Sequence, residues 1–214
     1  TWAAFEPVRC DTFITEATFA LPVYRWPDPA QVMAEIDAWW RECAVAGRPA
    51  VLFCYALGKA QRVLAGLLAH RSETVYLHGA MTPLVAAYRD AGIALVPTEP
   101  VSDQANDFDW RGRLVLAPPG AGGTPWMRRF RNPATGFVSG WMRIRGNRRR
   151  RGYDRGFVLS DHADWDGLLR SIHETGARRV LATHGHSDAL VRVLREQGLS
   201  AGELGTAFEG EAEA

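Results

Sequence analysis

Three ionisable residues stand where short apolar runs give way to polar sequence. They are Glu16 in Ile14-Thr15-Glu16-Ala17-Thr18-Phe19, His162 in Ser160-Asp161-His162-Ala163-Asp164, and His184 in Thr183-His184-Gly185-His186. Each reads as the carboxyl end of a strand, which is where α/β sheets build their sites. A carboxylate beside an imidazole orients the ring and favours its charged form. An imidazole at a strand end, followed by glycine, can reach a metal ion. Each residue also has a plainer reading. A glutamate ending a strand can simply be solvated or cap a turn. Asp161 or Asp164 can cap the next helix with His162 a bystander, and His184-Gly185-His186 can be a turn before a helix capped by Ser187. Spacing alone leaves both readings open, and H-x-H-x-D-H, a strong metal-ligand signature, occurs nowhere in the chain.

The charged residues point to a polyanion. Ten arginines and one acid, Asp154, fall between Pro125 and Arg155, a segment of charge +9 in a chain of net +1, so the remainder carries −8. A basic segment on an otherwise acidic chain is the footprint expected for nucleic acid. The basic residues are 24 arginines and one lysine, a bias that genome composition alone can produce. Lys59, at a helix start, is placed to meet a phosphate, with a surface lysine as the alternative. Arg128 and Arg129 beside Trp126 suit a strand backbone with the indole stacked on a base, against the alternative of a helix face with a core tryptophan. Arg148 to Arg151 are either phosphate contacts or a solvated loop. Trp39 and Trp40 lie on an apolar helix stripe and belong to the core. His70, His78 and His173 show no partners in the sequence.

The elements that must position these residues alternate. Asp11 to Phe19 reads as a buried strand with Phe13 and Ile14 inside. Asp28-Pro29 starts a helix, Asp capping and Pro in the first turn, that runs to about Ala46. Strands are expected at 49–55, 74–77, 93–96, 114–117, 137–144, 156–160 and 180–183. Helices are expected at 58–70, 82–91, 164–175 and 187–197. Short connections between alternating strands and helices indicate a parallel sheet covered by helices. The 101–113 segment is polar and irregular, and Pro118 to Gly123 is a Pro/Gly loop.

With 47% hydrophobic residues, the 214-residue chain has material for a core and room for one or two domains. No apolar run approaches the roughly 20 residues of a membrane span. Three cysteines, without C-x-x-C, fit free thiols in a cytoplasmic setting. The start at Thr1-Trp2-Ala3 shows no signal-peptide pattern and reads as a cut inside a longer chain.

Longer motifs carry a resemblance. Asp11-Thr12-Phe13-Ile14-Thr15-Glu16-Ala17-Thr18-Phe19 resembles motif A of the β-CASP nucleases of the metallo-β-lactamase fold. Phe53-Cys54-Tyr55-Ala56-Leu57-Gly58-Lys59-Ala60-Gln61-Arg62 resembles their strand–turn–helix with G-[RK]-A-Q. Ser139-Gly140-Trp141 resembles a turn late in their inserted domain. Leu159 to Asp164 resembles motif B, and Leu181-Ala182-Thr183-His184-Gly185 resembles motif C. These occur in family order across essentially the whole chain. The stretch 13–19, Trp126-Met127-Arg128-Arg129-Phe130 and Ser160 to Trp165 look most like the bacterial ligase-associated DNA exonucleases.

The resemblance implies an α/β architecture. Residues 1–20 and 153–208 would form part of a metallo-β-lactamase-like domain, 21–152 an inserted β-CASP domain, and 209–214 a disordered acidic tail. It implies metal-dependent phosphodiester hydrolysis of DNA by an exonuclease acting in repair beside an ATP-dependent DNA ligase. RNA 3′-end processing and a non-catalytic nucleic-acid-binding module are the alternatives. It assigns Glu16 and His162 to catalysis, with Glu16 holding the ring of His162. His184 becomes a zinc ligand, His186 a supporting or surface residue, and Lys59, Arg128 and Arg129 nucleic-acid contacts. Two zinc ions are implied, whose other ligands lie upstream in the family, so the 214-residue chain by itself is expected to be inactive.

Overall fold

The computed structural model describes residues 5–144, 146 and 152–205. Arg148 to Arg151 and the 209–214 tail lie outside them. The described chain forms two compact units, Trp26–Asp161, and residues 5–25 together with 162–205. The sequence reading set these boundaries at 20/21 and 152/153.

The Trp26–Asp161 unit is built on six parallel strands: β2 (Ala50–Phe53), β3 (Val75–Leu77), β4 (Thr98–Pro100), β5 (Leu114–Ala117), β6 (Ala134–Val138) and β7 (Arg155–Phe157), in the order β4-β3-β5-β2-β6-β7. Strands β2 and β5 are buried at every residue, as strands covered on both faces must be. Alternate residues feed two cores. Ala50, Leu52, Leu114, Leu116 and Phe157 pack with helices α1 (Pro29–Val45) and α2 (Lys59–Leu67), and with Met81 and Val85 at the start of α3 (Thr82–Asp90). On the other face Val51, Phe53, Tyr76, Val115 and Phe137 meet an aromatic layer of Phe108, Trp110, Trp126, Phe130 and Tyr153, from loops and 3₁₀ turns.

Helix α1 starts as its sequence dictates. The Asp28 side chain accepts from Ala30 N at 2.9 Å and Pro29 occupies the first turn. Trp39 and Trp40 are core, Trp40 donating from Nε1 to the Gly112 carbonyl at 2.8 Å. Gly136 lets Trp39 and Leu52 close over β6, since a Cβ there would lie 2.8 Å from Leu52 Cδ1 and 3.1 Å from the Trp39 ring.

The other unit is a three-stranded parallel sheet ordered β1-β8-β9, from β1 (Thr12–Ala17), β8 (Arg179–Gly185) and β9 (Ser200–Glu203). Helices α4 (Trp165–Thr175) and α5 (Ser187–Glu196) pack Trp165, Leu168, Ile172, Leu190 and Leu194 against Val180, Ala182, Ala17 and Phe13. Asp164 caps α4 by accepting from Gly167 N at 2.8 Å, and Gly176 ends it with φ 66°.

Several expectations are corrected. Ile14 is 56% exposed, because strand alternation puts it on the face opposite Phe13 and Ala17, which pack against the helices. Residues 93–96 are coil, with Val96 buried. The amide of Val96 donates to the Leu64 carbonyl and its carbonyl accepts from Arg89, so the strand forms after Pro97, at 98–100. The strand expected at 137–144 stops at Val138, where Ser139 caps a 3₁₀ turn by accepting from Trp141 N. His186, not Ser187, holds the cap position of α5, without a side-chain capping bond. His78 is not alone: its Nδ1 accepts from Ala80 N, and its ring lies 4.8 Å from that of Trp126. All three cysteines are free thiols. Among the described residues no helix is long and apolar enough to cross a membrane.

Candidate active site

Strand β1 delivers Glu16 to the edge of the three-stranded sheet. Its Oε2 accepts from the Thr18 amide at 2.7 Å, a bond that folds the carboxylate back over the strand end. Its Oε1 lies 3.1 Å from Nδ1 of His162. Residues 146 positions apart are thus joined by a direct hydrogen bond. Burial alone would raise the Glu16 pKa. The bonds from His162 and Thr18 outweigh it and hold the carboxyl well below its usual range, at about 2. At neutral pH Glu16 is therefore an anion and Nδ1 carries the hydrogen that bonds it, which leaves Nε2 as the ring nitrogen that Glu16 does not engage.

The imidazole is also packed. Phe19 meets it edge to face at 5.7 Å, Tyr24 meets Phe19 at 4.9 Å, and His186 stacks on Tyr24 at 6.2 Å. Phe19 and Tyr24 are buried, so the ring of His162 leans on a fixed wall while 45% of its side chain stays exposed.

His184 sits in an irregularity of the same sheet. In the β1–β8 ladder Glu16 faces Thr183 but Ala17 faces Gly185, so His184 is the extra residue of a β-bulge. Its φ is 58°, in the left-handed region, and its Nδ1 lies 3.1 Å from Thr183 Oγ1. Bulges of this kind re-aim a side chain, and a left-handed non-glycine residue persists only where its surroundings hold it. Gly185 is what permits it. With φ 68°, its Cβ would lie 2.4 Å from Thr18 Cα and 2.5 Å from the Ala17 carbonyl oxygen. The bulge, the Thr18 amide and the Glu16 carboxylate are one local construction.

The remaining candidates lie in the Trp26–Asp161 unit and behave differently. Lys59 is 4% exposed, with its ammonium 3.3 Å from Asp161 and 5.2 Å from the Tyr55 ring centroid. It is neither a surface lysine nor an open phosphate contact. Asp161 also pairs with Arg62 at 3.7 Å, and Arg62 Nη1 donates to the Ser160 carbonyl. Burial pushes the Arg62 pKa down, with Asp161 opposing the change. Sequence reasoning missed this clamp, although the G-K-A-Q-R run and Asp161 were both in view. Arg128 and Arg129 end a 3₁₀ turn, Pro125–Arg129, rather than an α-helix. The guanidinium of Arg129 lies 5.5 Å over the ring of Trp126, which is half-buried against Phe130 and His78.

Among the described residues no three His, Cys, Asp or Glu side chains gather as a metal site. The described side chains therefore do not by themselves fit a complete two-metal centre.

No family model matches the chain. It is 35% identical over 200 residues to a protein of Opitutus terrae named "Probable DNA ligase", an alignment that takes in 92% of this chain and 19% of that relative. The chain thus spans about a fifth of that relative's length. It shares its fold, at a TM-score of 0.53 and 13% identity, with a protein of unknown function from Enterococcus faecalis V583, covering 95% of this chain and 51% of that one.

Proposed function

We infer that this chain is the part of a DNA strand-processing enzyme that supplies a Glu–His pair to phosphodiester hydrolysis. The observation that carries the reading is the Glu16–His162 bond, made between an anionic carboxylate and Nδ1 at a sheet edge. With Nδ1 held, Nε2 of His162 would donate to a phosphate oxygen or to the departing oxygen, as hydrogen-bond donor or general acid. Glu16 keeps the ring oriented and favours its protonated form. The similarity to a protein named as a probable DNA ligase supports DNA as the polymer. Within this chain, joining chemistry through a lysine nucleophile would have to use Lys59, its one lysine, and that side chain is buried against Asp161.

The resemblance in motifs A to C makes the reaction a metal-dependent exonuclease step beside a ligase, with two zinc ions and His184 as one ligand. The other ligands would have to come from elsewhere in a longer polypeptide.

The test uses the full-length natural polypeptide and a labelled DNA strand under single-turnover conditions. His162→Ala should slow cleavage by about 100-fold or more, the usual contribution of a positioned acid or base, and leave bound metal per chain unchanged. His184→Ala should lower both. The 214-residue chain by itself, with added Zn²⁺ or Mn²⁺, should not cleave. Full turnover in His162→Ala overturns the assignment. Faster cleavage of an RNA strand moves the substrate to RNA, and strand binding without any cleavage by the full-length protein makes the chain a binding module.

A further inference from the structure

In the Trp26–Asp161 unit, strands β2, β5 and β6 start at Ala50, Leu114 and Ala134, so their amino ends share one edge of the parallel sheet. Lys59 and His78 follow the carboxyl ends of β2 and β3, at the opposite edge. A cavity of about 520 Å³ opens at the amino edge. It is lined by Gly47 and Pro49 before β2, by 106–111 before β5, and by Arg129 and Arg131 before β6. Sites for the reacting group of an α/β sheet gather at carboxyl ends, so this cavity is a separate feature. Its size is that of pockets for small ligands.

The lining is chemically mixed. Arg129 and Arg131 are part of it, and neither has a carboxylate within ion-pair distance among the described residues. The only hydrogen bond of Arg129 there is from Nε to the Trp126 carbonyl, at 3.2 Å. Arg111 is already neutralised by Asp109, which it grips through two nitrogens at 2.7 and 2.9 Å. Asn106 and Asp107 offer amide and carboxylate groups. The lining also includes the half-buried ring of Phe108, braced by Trp110 at 4.7 Å and Tyr76 at 5.3 Å, with the Arg113 guanidinium 6.0 Å from its centroid. Guanidinium groups without a carboxylate partner among the described residues, a braced aromatic ring, and short side chains able to hydrogen-bond match the three parts of one ligand class: phosphate, ring, and polar ring edge.

We propose that this amino-edge cavity binds one nucleotide unit, with its phosphate against Arg129 and Arg131 and its base against Phe108. Asp107 sets the orientation, because it repels the phosphate and accepts from an exocyclic amine of the base. The choice of a nucleotide rests on the DNA reading above, while the cavity and its lining do not. A free nucleoside monophosphate and a nucleotide within a single strand present the same chemistry here.

Titration calorimetry on the 214-residue chain separates the outcomes, with deoxyadenosine 5′-monophosphate, inorganic phosphate and a short single DNA strand as probes. The monophosphate should bind at least tenfold tighter than phosphate. Arg131→Ser, at an exposed position, should weaken it about tenfold, while Arg170→Ser on α4 changes nothing. Phe108→Leu should weaken the monophosphate and leave phosphate unaffected. If the strand competes with the monophosphate, the source is a strand, and Arg131→Ser then lowers the salt slope by about 0.7. If the strand does not compete, the source is free nucleotide. Unchanged monophosphate binding in Arg131→Ser, or phosphate binding equally well with Phe108→Leu silent, overturns the proposal. Such a failure leaves the His162 cleavage test untouched, and the reverse also holds.

Discussion

Replacing Glu16 by Gln tests the site at its centre. The Gln carbonyl can still accept from the Thr18 amide, so the strand end keeps its shape and only the charge is lost. The carboxyl is held at about 2 against an ordinary 4.5, a displacement worth roughly 3 kcal/mol between its two protonation states if nothing screened it. Burial opposes this displacement, and the bonds from His162 and Thr18 produce it. The side chains of His162 and Glu16 are 45% and 37% exposed, so solvent screening reduces the contribution to about 1 kcal/mol. Because the folded-state value lies below the unfolded one, this stability is fully present above about pH 4.5 and is lost as pH falls towards 2.

The expected result is specific in pH. In equilibrium urea unfolding at pH 7, Glu16→Gln should be about 1 kcal/mol less stable than wild type. The two curves should converge between pH 4.5 and 2, where the wild-type carboxylate takes up its proton. A double-mutant cycle with His162→Ala should return a coupling near 1 kcal/mol at pH 7. Stabilities that stay parallel from pH 7 to 2, or a coupling of zero, would show that the pair is not an ion-assisted bond in solution.

Two further outcomes follow from the geometry. Gly185→Ala must move backbone at Ala17 and Thr18 and places a side chain at φ 68°, so it should cost about 2 kcal/mol or more; a melting temperature unchanged from wild type would show that the bulge relaxes freely. Asp161→Asn strands the buried Lys59 ammonium and Arg62 and should cost about 2 kcal/mol, whereas Lys59→Met removes the buried charge and should be near neutral; equal losses in the two variants, measured by urea unfolding, would count against the ion-pair account.

What the sequence disclosed about the fold follows from where burial writes a pattern. Strands β2 and β5 are continuous apolar runs because both faces are covered, and α1 announces itself through Asp28-Pro29 and its apolar stripe. The misplacements occur where polar groups, rather than apolar ones, decide. Ile93 to Val96 looks like a strand because it is apolar, yet Tyr88 takes the amide of Ile93, and Leu64 and Arg89 take the backbone groups of Val96. Strand β9, Ser-Ala-Gly-Glu, carries no apolar pattern and forms because its neighbour β8 pairs with it.

The site divides along the same line. Glu16, His162 and His184 were found as polar residues ending strands, a signal carried by residue type and position. The Glu16–His162 contact agrees with what the resemblance implied, but the setting of His184 was not legible, because it depends on one register shift: the bulge at His184 exists because Ala17 pairs with Gly185 instead of its neighbour. No local propensity encodes that shift except the glycine itself, whose missing Cβ makes room for Ala17 and Thr18. Lys59 shows the converse. Its position at a helix start is the signal for an anion site, but the anion it meets is the carboxylate of Asp161, 102 residues away in the chain. A helix start attracts negative charge from any source, and sequence cannot distinguish a substrate phosphate from a carboxylate that the fold itself brings to the spot.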